Sequence, residues 1–186
     1  MYVPAGVAAD ANGKVYVADT FNNRVRKIDS AGVITTLAGT GTPFPVSGDG
    51  GPAANARLAW PTGLRLDAAG NLYIADAGNM RVRRVSRDGI ITTVAGSGPG
   101  GPGYGGDGGA ATDAQLTNPT GLALDRAGNL FIGDGASVRR ISLEGIITTV
   151  AGNGMVGLTG DGGPATSAET GAWGWRSIAR AGFTEP

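Results

Sequence analysis

The strongest constraint on this chain is its periodicity. Gly32-Val-Ile-Thr-Thr-Leu-Ala-Gly39 returns as Gly89-Ile-Ile-Thr-Thr-Val-Ala-Gly96 and again as Gly145-Ile-Ile-Thr-Thr-Val-Ala-Gly152, at offsets of 57 and 56 residues. Pro4-Ala-Gly6, Pro61-Thr-Gly63 and Pro119-Thr-Gly121 recur at 57 and 58. Gly48-Asp-Gly-Gly51, Gly106-Asp-Gly-Gly109 and Gly160-Asp-Gly-Gly163 recur at 58 and 54. Three copies therefore run from Pro4 to about Ala168. A period of this length means that each copy is one supersecondary unit, which buries its apolar faces against its neighbours. It also decides how the glycine content, 35 of 186 residues, must be read. Without a repeat that content suggests disorder; with one it supplies tight turns between short strands.

Each copy reads as four strands. In the second copy they are Gly63–Asp67, Asn71–Asp76, Arg81–Ser86 and Ile90–Ala95, joined by turns at Ala68–Gly70 and Arg87–Gly89. β-Branched and aromatic residues fill the strands, and Gly, Asp and Asn fill the turns. The second strand is apolar at consecutive positions, Leu72-Tyr-Ile-Ala75, so it is expected to be covered on both faces. Four-stranded antiparallel sheets covered on both sides stack around an axis as a β-propeller. Pro52-Ala-Ala-Asn-Ala-Arg-Leu58 predicts about one helical turn carrying the chain back to the next inner strand, with Leu58 and Leu116 plugging the gaps between sheets.

Charge and composition then exclude several functions. Fifteen basic and fifteen acidic residues cancel, which argues against a strongly basic nucleic-acid binder. With no Cys and no His, the chain holds no disulfide, no thiolate zinc site, no His general base and no Ser-His-Asp triad. No apolar run approaches the roughly 18 residues of a membrane span, and no charged-then-apolar leader is read at Met1–Pro4.

The core of each copy resembles the NHL repeat: Pro-x-Gly, an apolar strand ending in Asp, a Gly-Asn turn, a second apolar strand ending in Asp, then Asn-x-Arg-Val. Here the pattern reads Pro61, Gly63, Asp67, Gly70, Asn71, Asp76, Asn79, Arg81, Val82, and in the first copy Pro4, Gly6, Asp10, Gly13, Asp19, Asn22, Arg24, Val25. The Gly-Asp-Gly-Gly insert is similar to that of long-repeat bacterial members. The resemblance implies an all-β, partial β-propeller of three four-stranded antiparallel blades, half of a six-bladed NHL-type ring, with blades at about 4–60, 61–118 and 119–168. The third copy departs from the pattern: Asp134-Gly-Ala-Ser-Val138 is two residues shorter than Asp76–Val82, and an expected Asp76–Arg81 pairing has no counterpart there.

Residues 169–186 do not continue the repeat. Back-translating Gly174–Thr184 and reading from the third base of the first codon permits Leu-Ala-Leu-Asp-Arg-Ala-Gly, identical to Leu122–Gly128. The tail is thus expected to be an out-of-frame reading of a fourth blade, with a divergent terminal cap as the alternative. Half a ring would leave an apolar face at each end. The missing blades would come from a longer parent chain or from a second copy in a homodimer that completes the six-bladed ring.

Candidate sites fall into four groups. Asp49, Asp107 and Asp161 sit in the Gly-rich inserts; calcium is the weaker reading, because each loop offers one carboxylate, and an Asx-type turn capping the next helical turn is favoured. Asp10, Asp67 and Asp125 follow the first strands, while Asp19, Asp76 and Asp134 follow the second. Radial symmetry gathers such carboxylates at a rim, where they would bind a metal or transfer protons. Their recurrence in every copy favours turn-pinning instead, together with Asn22, Arg24 and Asn79. Arg24, Arg26 and Lys27, Arg81, Arg83 and Arg84, and Arg139 and Arg140 form a stripe on the third strands. It is read as solvated arginines pairing with turn aspartates ahead of a phosphate-binding surface. Arg65, where the other copies have Ala8 and Ala123, is the best single candidate for an anion contact, weighed against a local salt bridge. Trp60, Trp173 and Trp175 are read as packing or accidental residues.

These readings converge on a non-catalytic scaffold that presents loops to a protein or glycan partner, with no catalytic, metal or cofactor residue assigned. The alternative is part of an enzyme resembling streptogramin lyase or the gluconolactonase-like lactonases, though by resemblance those use His or a carboxylate-bound metal near the axis. RNA binding through the arginine stripe is the second alternative. Localisation stays open, with an extracellular or periplasmic setting weakly favoured and no membrane contact expected.

Overall fold

The structure is a computed structural model that describes residues 1–98 and 104–170. It contains three four-stranded sheets, each a meander in chain order. The first holds β1 (Pro4–Ala9), β2 (Val15–Asp19), β3 (Arg24–Ile28) and β4 (Ile34–Ala38). The second holds β5 (Pro61–Leu66), β6 (Leu72–Asp76), β7 (Arg81–Val85) and β8 (Ile91–Ala95). The third holds β9 (Pro119–Leu124), β10 (Leu130–Asp134), β11 (Ser137–Ile141) and β12 (Ile147–Ala151). All pairings are antiparallel. Of the first strands, β1 adjoins β5 and β5 adjoins β9, so they are the inner strands, and β4, β8 and β12 lie outermost.

The cores lie between sheets rather than within them. One cluster joins Ala18, Val25 and Ala38 of the first sheet to Leu64, Leu72, Ile74, Val85 and Ile91 of the second; the next joins Val82 and Ala95 to Leu130, Ile132, Ile141 and Ile147 of the third. Leu58 and Leu116 are fully buried in these two seams. This is why β6 is apolar at consecutive positions: each of its faces meets a neighbouring sheet. Burying a Leu or Ile this completely stabilises the fold by about 1.5–3 kcal/mol per side chain. The all-β, partial-propeller architecture is the one that the repeat implies.

The insert after each outer strand has a second task besides returning the chain. Gly50 donates to the Ile91 carbonyl, Ile91 donates to the Gly51 carbonyl, and Ala53 donates to the Gly89 carbonyl, so the loop of the first blade extends the outer edge of the second. Gly108, Ile147, Gly109, Ala111 and Gly145 repeat the arrangement on the third. An unpaired outer edge would invite association with other chains, and the insert covers it. The expected helical turns are single 3₁₀ turns at Ala53–Asn55, Ala111–Asp113 and Ala165–Ser167. The readings of Trp173, Trp175 and the rest of the tail beyond residue 170 fall outside the described residues.

Candidate functional site

The inter-blade seams carry the most distinctive polar chemistry. Arg83 on β7 is fully buried, and its Nη2 donates to Asp49 Oδ1 at 2.7 Å. The other Asp49 oxygen accepts from Thr93 Oγ1 at 2.7 Å, and Arg83 Nη1 lies 3.4 Å from Asp76 Oδ2. Arg139 repeats this one seam on: it is fully buried, donates to Asp107 Oδ1 at 2.6 Å, and Thr149 N–H donates to Asp107 Oδ2 at 2.8 Å. Partial burial pushes the Asp107 carboxyl up, but the Thr149 and Arg139 contacts together outweigh it and hold the pKa below the usual carboxylate value.

These links overturn three sequence expectations. Asp49 and Asp107 do not cap the following turn, whose N-terminal residues make no side-chain cap bond; they reach across the seam to the next blade. Nor is the arginine stripe one solvated surface. Successive strand residues face opposite sides of a sheet, so Arg83 and Arg139 lie in the seams while Arg84 and Arg140 face the other side, half-buried. A guanidinium buried like Arg83 is out of reach of a phosphate. Arg24 and Arg81 donate instead to the carbonyls of Thr40 and Ser97, and Asp76 pairs with Arg83 and not with the Arg81 side chain.

The two aspartate sets lie at opposite rims, because they mark opposite ends of the same hairpins. At the first rim Asp10 accepts from the amides of Asn12 and Lys14, Asp67 from the amide and side chain of Asn71, and Asp125 from those of Asn129. Between the first two blades this rim opens a cleft of about 680 Å³ lined by Asp10, Lys14, Tyr16, Lys27, Asp67 and Arg87. Burial, with Asp10 beside it, raises the Tyr16 hydroxyl above its ordinary value, so it stays protonated near neutrality. Tyr73 is raised in the same way by burial and Asp67.

At the opposite rim the carboxylates turn inward. Asp19 accepts from the Tyr2 amide and Asn22 Nδ2. Asp76 accepts from the Ala59 amide and Asn79 Nδ2. Asp134 accepts from the amides of Thr117 and Asn118 through Oδ1, while its Oδ2 is buried without a partner among the described residues. Burial raises the pKa of both Asp76 and Asp134 against the opposing pull of those donors and of the neighbouring arginine. The shortened third-copy turn explains the difference: it lacks the Asn that serves Asp76 Oδ2.

Arg65 is exposed on inner strand β5 and makes no ion pair among the described residues, so the local salt bridge is not formed. Asp161 is likewise exposed. No group of three or more His, Cys, Asp or Glu side chains lies close enough among the described residues to hold a metal ion.

Sequence reasoning missed one surface. Trp60, expected to pack, is 48% exposed and sits edge-on to Phe44 with ring centroids 5.9 Å apart. Its backbone is left-handed (φ 47°) and its amide donates to Asn23 Oδ1. Tyr2 and Phe21 form a second exposed pair at 5.1 Å on the same rim. No pattern in the sequence signalled it, because the left-handed backbone of this bulky residue just before the repeated proline shows only in the structure.

A family model described as the Teneurin NHL domain matches residues 41–102 and 97–167, and one described as the NHL repeat matches residues 1–28. Teneurin-4 of Mus musculus is 30% identical over 165 residues, which take in 82% of this chain and 6% of the relative. Teneurin-m of Drosophila melanogaster is 28% identical over 167 residues, with 83% and 6% covered. The chain thus spans about 6% of the length of these curated relatives. Among solved structures, a structural genomics protein of unknown function from Bacteroides thetaiotaomicron superposes with a TM-score of 0.67 at 20% identity, over 90% of this chain and 40% of that one. Virginiamycin B lyase from Staphylococcus aureus gives 0.52 at 19% identity, over 78% and 40%. At such identities the likeness is one of fold alone.

Proposed function

From the premise that the chain belongs to the teneurin NHL domain family, we propose that it is a non-catalytic propeller scaffold that presents one rim to a protein or glycan partner. The observation that carries this reading is the exposed aromatic set of Tyr2, Phe21, Phe44 and Trp60 on that rim. Rings held on a rigid sheet end offer large apolar area at little entropic cost, which suits a protein hot spot or the apolar face of a sugar. The carboxylates are committed elsewhere: Asp10, Asp67, Asp19 and Asp76 accept from backbone amides and Asn side chains, and Asp49 and Asp107 are paired with buried arginines.

The test is binding of the full chain to arrays of glycans and purified extracellular proteins, repeated with Trp60→Ala and Phe44→Ala. Trp60→Ala is expected to weaken the selected ligand about 30-fold, as loss of a hot-spot tryptophan does. A ligand whose affinity neither substitution changes, or turnover of a lactone or streptogramin substrate by the chain, would overturn the reading.

A further inference from the structure

The first seam opens at the rim of Asp10 and Asp67 into the cleft of about 680 Å³, and its walls carry three cations. Lys14 and Lys27 come from the first blade and Arg87 from the second, over an apolar floor that includes Leu37, Leu66 and Leu72. None of the three cations makes an ion pair or a side-chain hydrogen bond among the described residues. Both walls belong to blades whose four strands are all described, so packing within the chain shapes the cleft. The repeat itself does not demand this charge. At the matching positions of the second seam stand Asn71, Arg84 and Leu143, one cation where the first seam has three.

The other polar groups of the cleft narrow what fits. Asp10 and Asp67 line it too, but they already serve turn donors: Asp10 accepts from the amides of Asn12 and Lys14, and Asp67 from the amide and Nδ2 of Asn71. Three cations against two carboxylates leave one net positive charge. That balance matches a carboxylate monoanion better than a phosphate, which carries more negative charge near neutrality. Tyr16 stands directly across the ladder from Lys27, and its hydroxyl, protonated at neutral pH, has no hydrogen-bond partner among the described residues and is free to donate. The carboxylates of Asp10 and Asp67 keep lone pairs that accept from hydroxyl groups. A cleft of this volume, with an apolar floor and a few polar groups above it, has the make-up of a small-molecule site.

We infer that this cleft binds a carboxylated sugar of about the size of one hexuronate. The sugar carboxylate sits among Lys14, Lys27 and Arg87, where charge-assisted hydrogen bonds hold it. The C–H face of the ring lies on Leu37 and Leu66, and the hydroxyl groups meet Tyr16, Asp10 and Asp67. The site is at the rim opposite to Trp60 and is independent of the aromatic surface there.

Titration calorimetry on the full chain tests this, with D-glucuronate, D-glucose and inorganic phosphate as probes. Glucuronate is expected to bind saturably, and glucose and phosphate about 10-fold more weakly or worse. Lys27→Gln and Arg87→Gln should each lower the glucuronate affinity by about 10-fold, since each removes one charge-assisted contact. Arg126→Gln, which removes an exposed arginine from a turn of the third blade, should leave it unchanged. Arg87 is exposed in a turn, so its substitution spares the core, and far-UV circular dichroism checks that every variant is folded. No saturable binding of glucuronate at millimolar concentration, glucose or phosphate bound as tightly, or an affinity that neither Lys27→Gln nor Arg87→Gln changes would overturn the inference. So would an equal loss from Arg126→Gln, which would mean that charge acts without a site. No outcome depends on Trp60 or Phe44, so failure here leaves the rim-binding reading standing, and the converse holds.

Discussion

Asp49 leaves the first blade in a glycine-rich loop, yet its carboxylate accepts at 2.7 Å from Arg83, a guanidinium fully buried in the second blade. The pair places a charge inside a largely apolar seam, where desolvation is costly unless partners are in place. Ser47 carbonyl and Asp76 complete the set around Arg83. The ion pair therefore fixes where the loop of one blade lands on the next.

Removing the loop partner should leave that cation with only the Ser47 carbonyl and the longer contact to Asp76. Asp49→Ala is expected to cost about 3 kcal/mol in urea unfolding, at the low end for a buried pair because Asp49 is half exposed and admits water. Asp161→Ala, at an exposed carboxylate with no ion pair among the described residues, should change stability by less than about 0.5 kcal/mol. Equal losses from the two would contradict the seam assignment.

Asp76 and Asp134 occupy equivalent turns but should respond oppositely to amidation. Asp76→Asn sets a donor against Asn79 Nδ2 or Arg83 and should cost about 2 kcal/mol. Asp134→Asn replaces an oxygen without a partner, so stability should stay within about 1 kcal/mol of wild type or rise.

The same groups set a pH dependence. Burial raises the Asp134 pKa above its ordinary value of 3.8. A carboxyl raised in the folded state favours folding while protonated, and stability falls as pH rises from that ordinary value through the folded one. Asp107 has the opposite sign: its lowered pKa contributes stability above 3.8 that is lost as pH falls through the folded value. Asp134→Asn should abolish its part of the fall on the alkaline side, read from unfolding curves taken from acid to neutral pH. An unchanged slope would refute the assignment.

Gly63 is one of the points where neighbouring inner strands approach closely. A Cβ there would run into the Thr120 carbonyl oxygen of the next blade, as one at Gly6 would into that of Thr62. Both contacts are to backbone, which cannot step aside, so Gly63→Ala should cost about 3 kcal/mol or more and lower the thermal midpoint accordingly.

Leu58 fills the first seam from the returning segment. Leu58→Ala should cost about 2–5 kcal/mol, the range for a buried leucine whose cavity collapses only in part. A loss under 1 kcal/mol, measured by denaturant titration, would mean that the seam closes around the gap.

Much of this was legible before any coordinates. The second strand, expected at Asn71–Asp76, runs Leu72–Asp76, and the fourth, expected at Ile90–Ala95, runs Ile91–Ala95. Leu58 and Leu116 were readable as plugs because they are the apolar residues that end each helical turn before the next inner strand. The partners of Asp49 and Arg83 were not legible. They lie 34 residues apart in sequence, and a local pattern of Gly and Asp looks the same whether the carboxylate caps its own turn or crosses to a neighbour. Trp60 was misplaced for a related reason: an indole beside a proline reads as core, and only the left-handed backbone at φ 47° and the seat on Asn23 put it at the rim.

The amino-acid sequence alone determined the number of copies, the four-strand unit and the blade architecture, because periodic apolar strands between glycine turns have few ways to bury both faces. Which arginine of Arg83 and Arg84 enters the seam was decided only in three dimensions. A sheet covered on both sides has no wet face to betray its orientation, so the two-residue alternation that usually separates inside from outside is silent. The packing of the next blade, and the loop that arrives with it, settles the choice.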